Sequence, residues 1–286
     1  MCDIGPVGYV ARMGSEPSGE SLMVRVRSPD GTLLGCEVDG AGPPLLLVHG
    51  STADRNRWAA VRPALAARFT LWLMDRRGRG LSLEEAASGA QYALAREAED
   101  VAAVVGSIGD APRVLAHSYG GACVLEAAAR GAPIGRMLVY EPAFGTEAGP
   151  VFRVAALSAV EQALARGDRE KALRTFFADV LLLGEDQISA MRGTEAWRAR
   201  VACVDTLPRE ARAANAYAVR GGGGAVLGAS VRFLLGTETA PPLVASTRAA
   251  AAAWAGSSLR ELRGHGHAAM DADPELFAAE VVGWLG

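Results

Sequence analysis

Arg113-Val-Leu-Ala-His-Ser-Tyr-Gly-Gly121 reads as a short apolar strand running straight into a serine, followed by glycines and a small-residue helix over Gly120–Arg130. This is the strand–turn–helix arrangement of a nucleophile elbow, G-x-S-x-G, with Ala116 in place of the first glycine. A serine in so tight a turn needs small neighbours two residues before and two after, and alanine is small enough. The turn lifts the Ser118 hydroxyl above the sheet and sets it at a helix N-terminus, where unpaired N–H groups and the helix dipole favour negative charge. A motif this short also occurs at ordinary strand–helix junctions, so its weight depends on its surroundings.

Upstream, Leu45-Leu-Leu-Val-His-Gly50 is an apolar strand ending in His-Gly. In this architecture the loop after that strand donates a second oxyanion N–H, which makes the backbone N–H groups of Ser51 and Tyr119 the expected donors. His49 is expected to shape the loop by bonding nearby backbone, not to transfer protons. Downstream, Leu262-Arg-Gly-His-Gly-His-Ala-Ala269 follows a strand and precedes Asp273-Pro274, the opening of the last helix. A histidine in this glycine-rich loop can hang over the sheet edge toward Ser118. All 4 histidines of the chain, His49, His117, His265 and His267, fall in these three segments.

Around these motifs strands and helices alternate. Leu22–Arg27 and Thr32–Val38 read as a hairpin about the turn Ser28-Pro-Asp-Gly31, and Leu45–Val48 as a strand covered on both faces. Phe69–Met74, Arg113–Ala116 and Met137–Tyr140 are strand-like, and Tyr92–Ile108 has apolar residues at helical spacing. This order predicts a parallel sheet with helices on both faces. The alternation breaks near Phe144. Val154–Arg166, Glu170–Leu182 and Pro208–Val219 read as helices only, and Gly221–Gly224 closes the block and is expected to act as a flexible joint. Alternation resumes with Ser230–Leu235, Leu243–Trp254, Ser258–Leu262 and Pro274–Leu285. The expected organisation is a flexible N-terminus over 1–20, a core over 21–145 and 225–286, and a helical cap over 146–224.

Composition excludes several classes. The chain has 286 residues, is 50% hydrophobic and 21% charged, and carries a formal net charge of -3, enough for one large domain and without the basic surplus of a nucleic-acid reader. Cys2, Cys36, Cys123 and Cys203 lie far apart, in neither a metal-ligand nor a disulfide pattern. Residues 1–20 lack the continuous apolar stretch of a secretory signal, and no apolar run reaches membrane-span length, so a cytoplasmic protein with no membrane or nucleic-acid partner is expected.

Taken together, the chain resembles the α/β-hydrolase superfamily over nearly all of residues 22–286, with least detail in the cap. The resemblance implies an α/β-hydrolase fold: a mostly parallel sheet of about eight strands, helices on both faces and an inserted helical cap. It matches the family's G-x-G-H to Gly264-His-Gly-His267, which makes His267 the base and His265 a loop neighbour. Met74-Asp-Arg-Arg-Gly-Arg-Gly-Leu-Ser82 resembles the family's D-x-R-G-x-G-x-S loop, where Asp75 and Arg77 are structural. The third triad member departs from the pattern. Most relatives carry an Asp in a G-x-x-D after the strand matching Val231–Leu235, and here that stretch is Gly236-Thr-Glu-Thr239. Two acids are available. Glu141 follows the Met137–Tyr140 strand in Tyr140-Glu-Pro142, a strand end at which certain haloalkane dehalogenases carry their acid, and Glu238 is one position from the usual place. The rigid strand end favours Glu141, with Glu238 as the alternative acid.

The resemblance therefore implies a carboxylic-ester hydrolase with Ser118 as nucleophile, needing no metal or organic cofactor. The small hydrophobic substrate would be an ester, lactone or thioester with an apolar acyl or alcohol part, and Trp58 is a candidate wall of its pocket. A serine nucleophile argues against dehalogenase chemistry, which needs a carboxylate there. Because fold does not fix reaction, a non-hydrolytic acid–base catalyst of natural-product metabolism, a cyclase or lyase, is the alternative. A binding protein on a hydrolase scaffold is disfavoured by the intact Ser118, His267 and oxyanion segments.

Overall fold

Four successive apolar residues without alternation, as in Leu45–Val48, belong in a strand covered on both faces. The computed structural model places all four fully buried, Leu45 and Leu47 toward one core and Leu46 and Val48 toward the other. Burial of each such side chain contributes about 1.5–3 kcal/mol. The structure describes residues 11–13, 21–83, 92–221 and 230–286.

The first strands are β1 (Ala11–Met13), β2 (Leu22–Arg27) and β3 (Leu33–Asp39), paired antiparallel. The chain continues through β4 (Pro44–Val48), α1 (Arg62–Ala66), β5 (Thr70–Met74), α2 (Leu94–Ile108), β6 (Arg113–His117), α3 (Tyr119–Ala129) and β7 (Arg136–Tyr140). Five helices follow: α4 (Val154–Ala165), α5 (Arg169–Asp179), α6 (Glu185–Met191), α7 (Glu195–Cys203) and α8 (Leu207–Ala216). The sheet then resumes with β8 (Ser230–Gly236), α9 (Pro241–Ala253), β9 (Ser258–Leu262), α10 (Ala269–Ala272) and α11 (Pro274–Leu285).

The strands order as β1-β2-β3-β5-β4-β6-β7-β8-β9, parallel from β5 through β9. Apolar residues of α2 and α3 cover one face, and those of α1 and α11 the other. The chain runs outward from β4 to β5 on one side and to β6 on the other. Such a reversal leaves a crevice beyond the carboxyl ends of the strands, where ligands of open α/β sheets bind.

The expected α/β sheet is extended by one short strand. Ala11–Met13 lies within the stretch expected to be flexible, yet pairs antiparallel with β2. The rest of that stretch, 1–10 and 14–20, lies outside the described residues, as do Cys2 and positions 222–224 of the glycine run expected to act as a joint. Cys36, Cys123 and Cys203 are buried free thiols.

The helical block packs its aromatic residues into the same buried cluster as α2 and α3. Phe152 stacks on Phe176 with ring centroids 6.1 Å apart, and Phe177 lies 5.8 Å from Trp197. The helix expected over Glu170–Leu182 ends at Asp179, and Leu182 adopts a left-handed backbone with φ 57°, which stops helical propagation. The helix expected from Pro208 starts at Leu207, placing the proline in the first turn, where its missing N–H costs nothing. Among the described residues no helix is long and apolar enough to cross a membrane.

Candidate active site

The strand β6 delivers Ser118 into a turn with φ 56° and ψ -128°. A non-glycine residue held there stores strain of order 1–3 kcal/mol, and the surroundings must impose it. They do so through four backbone hydrogen bonds. The Ser118 N–H donates to the Tyr140 carbonyl at 2.9 Å, and the Ser118 carbonyl accepts from the N–H groups of Gly121, Ala122 and Ala143. Gly50 and Gly120 permit the close approach of the two loops. A Cβ on Gly50 would stand 2.7 Å from Ser118 Cβ, and one on Gly120 would stand 2.3 Å from the His49 carbonyl oxygen. The β4 loop is thereby seated against the serine turn.

That seating lays the loop carrying Ser51 against the turn of Ser118 and Tyr119, the two residues expected to supply N–H donors being Ser51 and Tyr119. Tyr119 is the first residue of α3, so its N–H is one of the helix's intrinsically unpaired donors. The Ser51 N–H donates to no backbone carbonyl among the described residues. His49 is fully buried and neutral. Its Nδ1–H donates to the Gly50 carbonyl at 2.8 Å and its Nε2 accepts the Arg76 N–H at 3.1 Å. Burial, reinforced by the nearby Arg76, holds its pKa well below the ordinary histidine value. It is a loop-shaping residue.

On the other side, the loop after β9 carries His267. Its Nδ1 lies 2.5 Å from Glu141 Oε2. Glu141 Oε1 accepts the Gly236 N–H at 2.7 Å and the Thr239 hydroxyl at 2.5 Å. The fully buried carboxylate thus has three partners, the condition for keeping such a group in the interior. With Nδ1 turned to the acid, Nε2 is the ring nitrogen left for a reacting proton. Glu238 lies one loop away with its side chain exposed, and its N–H donates to the His265 carbonyl at 2.9 Å. It is Glu141, and not Glu238, that touches the histidine ring.

The loop that carries His267 is itself held. Tyr140 donates its hydroxyl to the Gly266 carbonyl and accepts the Ala269 N–H at 3.2 Å. His117, the residue before Ser118, bonds through Nε2 to the His267 carbonyl at 3.0 Å, with the two rings 4.4 Å apart. Burial, and then the adjacent His267, push the His117 pKa well below the usual value, so His117 is neutral and Nε2–H is the donor. Arg57 grips Asp271 of α10 at 2.7 and 2.8 Å, tying the turn after the oxyanion loop to the base loop.

Trp58, expected as a pocket wall, is corrected by its surroundings. It is fully buried in the core with Leu45, Leu47 and Leu73, its ring edge-on to His117 at 6.4 Å, and it offers no surface to a ligand. Its size and apolar body are spent beneath the loops.

Asp75 and Arg77 are structural, as expected. Asp75 accepts the N–H groups of Arg55 and Leu81, both at 2.7 Å, and Arg77 forks onto Asp100 with two bonds of 2.6 Å. The two other arginines of that loop escaped the sequence reading. Arg76 bonds the carbonyls of His49 and Gly50 and pairs with Glu97 at 2.8 Å and with Glu210 of α8 at 3.0 Å. Arg79 pairs with Glu210 and donates to Thr206 Oγ1 at 2.5 Å and to the Ala53 carbonyl at 3.2 Å. Two cations and two anions, all fully buried or nearly so, fasten the helical block to the oxyanion loop. A signal did exist: arginine fills two of the three variable positions of the loop, Arg76 and Arg79, and long cations beside an apolar strand demand buried acids. Among the described residues no cluster of three or more His, Cys, Asp or Glu side chains forms a metal-ligand set.

Comparison with known proteins adds to this geometry. The model of the alpha/beta hydrolase family matches residues 45–280. The crystal structure of an alpha/beta hydrolase from Sphaerobacter thermophilus superposes with a TM-score of 0.74 at 27% identity, covering 92% of this chain and 100% of that one. The esterase RhEst1 from Rhodococcus sp. ECU1013 superposes with a TM-score of 0.71 at 26% identity, covering 92% and 98%. The probable oxidoreductase EphD of Mycobacterium bovis is 36% identical over 114 residues, a stretch that covers 38% of this chain and 19% of that protein, so the chain spans only a small part of this relative.

Proposed function

The chain belongs to the alpha/beta hydrolase family, and on that premise we propose that it hydrolyses an ester, lactone or thioester through Ser118, His267 and Glu141. The observation that carries the reading is the 2.5 Å contact between His267 Nδ1 and Glu141 Oε2, in a loop bonded to the residue beside a strained serine. The likeness to an esterase from Rhodococcus supports the acyl chemistry. The proposed substrate carries an apolar acyl or alcohol part.

His267 Nε2 takes the proton of the Ser118 hydroxyl as Oγ attacks the carbonyl carbon. Glu141 fixes the ring and stabilises the imidazolium by charge. The N–H groups of Ser51 and Tyr119 hold the oxyanion. The imidazolium returns its proton to the leaving group, and water, activated by the same nitrogen, releases the acid from Ser118.

The test is hydrolysis of 4-nitrophenyl esters of increasing chain length. Ser118→Ala is expected to lower kcat by on the order of a millionfold, and Glu141→Gln by roughly a thousandfold or more. Glu238→Gln stays within about twofold, as an exposed substitution should. Collapse of Glu238→Gln with Glu141→Gln active would move the acid to the later strand. Turnover that survives Ser118→Ala would remove the serine mechanism.

A further inference from the structure

Arg200 lies on α7, one turn before the helix ends. Its guanidinium carbon stands 5.5 Å from the centroid of the Phe177 ring, which the helical block holds against Trp197. The side chain is only partly exposed. Its charge acts on His49 in the oxyanion loop, on His117 beside the serine, and on Asp54, Arg57 and Asp271 at the rim. The end of α7 is joined to the loop after β4: Thr206 donates to the Cys203 carbonyl and accepts from Arg79, which also donates to the Ala53 carbonyl, so Arg200 lies on the helical side of the crevice near that loop.

The guanidinium groups around it are committed. Arg57 is neutralised by Asp271, Arg55 by Glu37 and Asp75, and Arg76 and Arg79 by Glu97 and Glu210. Arg200 is not: among the described residues no carboxylate lies within ion-pair distance of it, and its one partner is the Phe177 ring. A half-buried cation without a counter-ion is costly. Burial, with Arg57 beside it, pushes this guanidinium down to about 10. An anion arriving there would recover that cost, and a planar fork resting on an aromatic face is well suited to take a carboxylate through two parallel hydrogen bonds.

We propose that Arg200 anchors a carboxylate on the substrate, so that the enzyme acts on acyl compounds whose apolar stem ends in an acid group, such as half-esters of dicarboxylic acids. The inference rests on the acyl-hydrolase reading for the identity of the site. It adds what that reading leaves open, the polar end of the substrate. A neutral substrate of the same length leaves the guanidinium unpaired, so discrimination comes from both the gain with the acid and the loss without it.

The test compares mono-4-nitrophenyl adipate with 4-nitrophenyl hexanoate, two acyl chains of equal length that differ by one terminal carboxylate. The wild-type ratio of kcat/KM, acid ester over neutral ester, is expected to exceed one, and to fall by about ten- to a hundredfold in Arg200→Met. Because it is a ratio, partial misfolding of the variant cancels. A wild-type ratio at or below one, or a ratio unchanged in Arg200→Met, overturns the anchor. Calorimetric binding of adipate to the same two proteins reads the anchor without turnover. Binding at least about tenfold weaker in Arg200→Met supports it, and equal or absent binding overturns it. Failure to hydrolyse either ester sinks the acyl-hydrolase reading instead, and the adipate measurement then decides the anchor by itself.

Discussion

Thr239 stands where the resemblance expects an aspartate, and its hydroxyl donates to Glu141, the proposed triad acid. The negative charge keeps its place beside His267 while its attachment moves from the loop after β8 to the end of β7. Thr239 acts through Glu141, so it is a positioning residue, and its loss should show in turnover more than in folding. Thr239→Val removes one of the three hydrogen bonds to the carboxylate. It is expected to lower kcat for 4-nitrophenyl esters about tenfold with KM little changed, and Thr239→Ser should restore most of the loss. Equal kcat in Val and Ser variants would show the hydroxyl to be idle. The sequence pointed to Glu141 through the rigidity of a strand end. It could not reveal Thr239 as the partner, because that contact joins residues 98 apart and depends on how β7 and β8 stack side by side. Trp58 shows the opposite limit. Its position after the oxyanion loop was readable, but whether an indole faces a cavity or a core is settled only by what packs over it.

Glu210 of α8 is the member of the buried charge cluster that the helical block contributes. Glu210 is fully buried, and against the opposing effect of burial the positive charges of Arg76 and Arg79 hold its pKa below the ordinary carboxylate value. Removing one member of such a set leaves uncompensated charge in the interior, at a cost of roughly 3–5 kcal/mol. Glu210→Ala is therefore expected to lower the stability measured in urea by about that amount. Ester turnover should fall as well, since Arg76 also bonds the carbonyls of His49 and Gly50. A change below about 0.5 kcal/mol, the usual size for a surface site, would show that the cluster does not couple the block to the core. Periodicity made the helices legible, and the two glycine-flanked motifs made the serine turn legible. The fastening was not, because Arg79 and Glu210 are 131 residues apart and neither motif nor period links them.

At the scale of the whole molecule, two buried neutral histidines set how stability responds to acid. His49 and His117 both titrate well below 6.5 in the folded chain. Below the unfolded value the unfolded chain binds two protons that the folded chain refuses, so stability is complete above about pH 6.5 and drains away as the pH falls toward the folded values. Each histidine contributes a slope of about 1.4 kcal/mol per pH unit in that window. The Tm is expected to fall steeply between pH 6.5 and 5, and less steeply in His117→Gln; a flat Tm across that range would contradict the neutral assignment of both rings. Sheet and helix alternation, with the break near Phe144, carried the architecture of the molecule into its sequence. Strand order was not read from the sequence; it is set by which strands pair across the sheet. What the sequence left out was the short β1, whose three residues carry no periodic signal. The turn at Ser118, with φ 56°, has a consequence for the chain's history under selection. Glycine would relax it, and so would raise durability. In a population screened only for endurance to heat, variants with glycine there would spread, each having discarded the hydroxyl. Longevity and reactivity compete at a single codon.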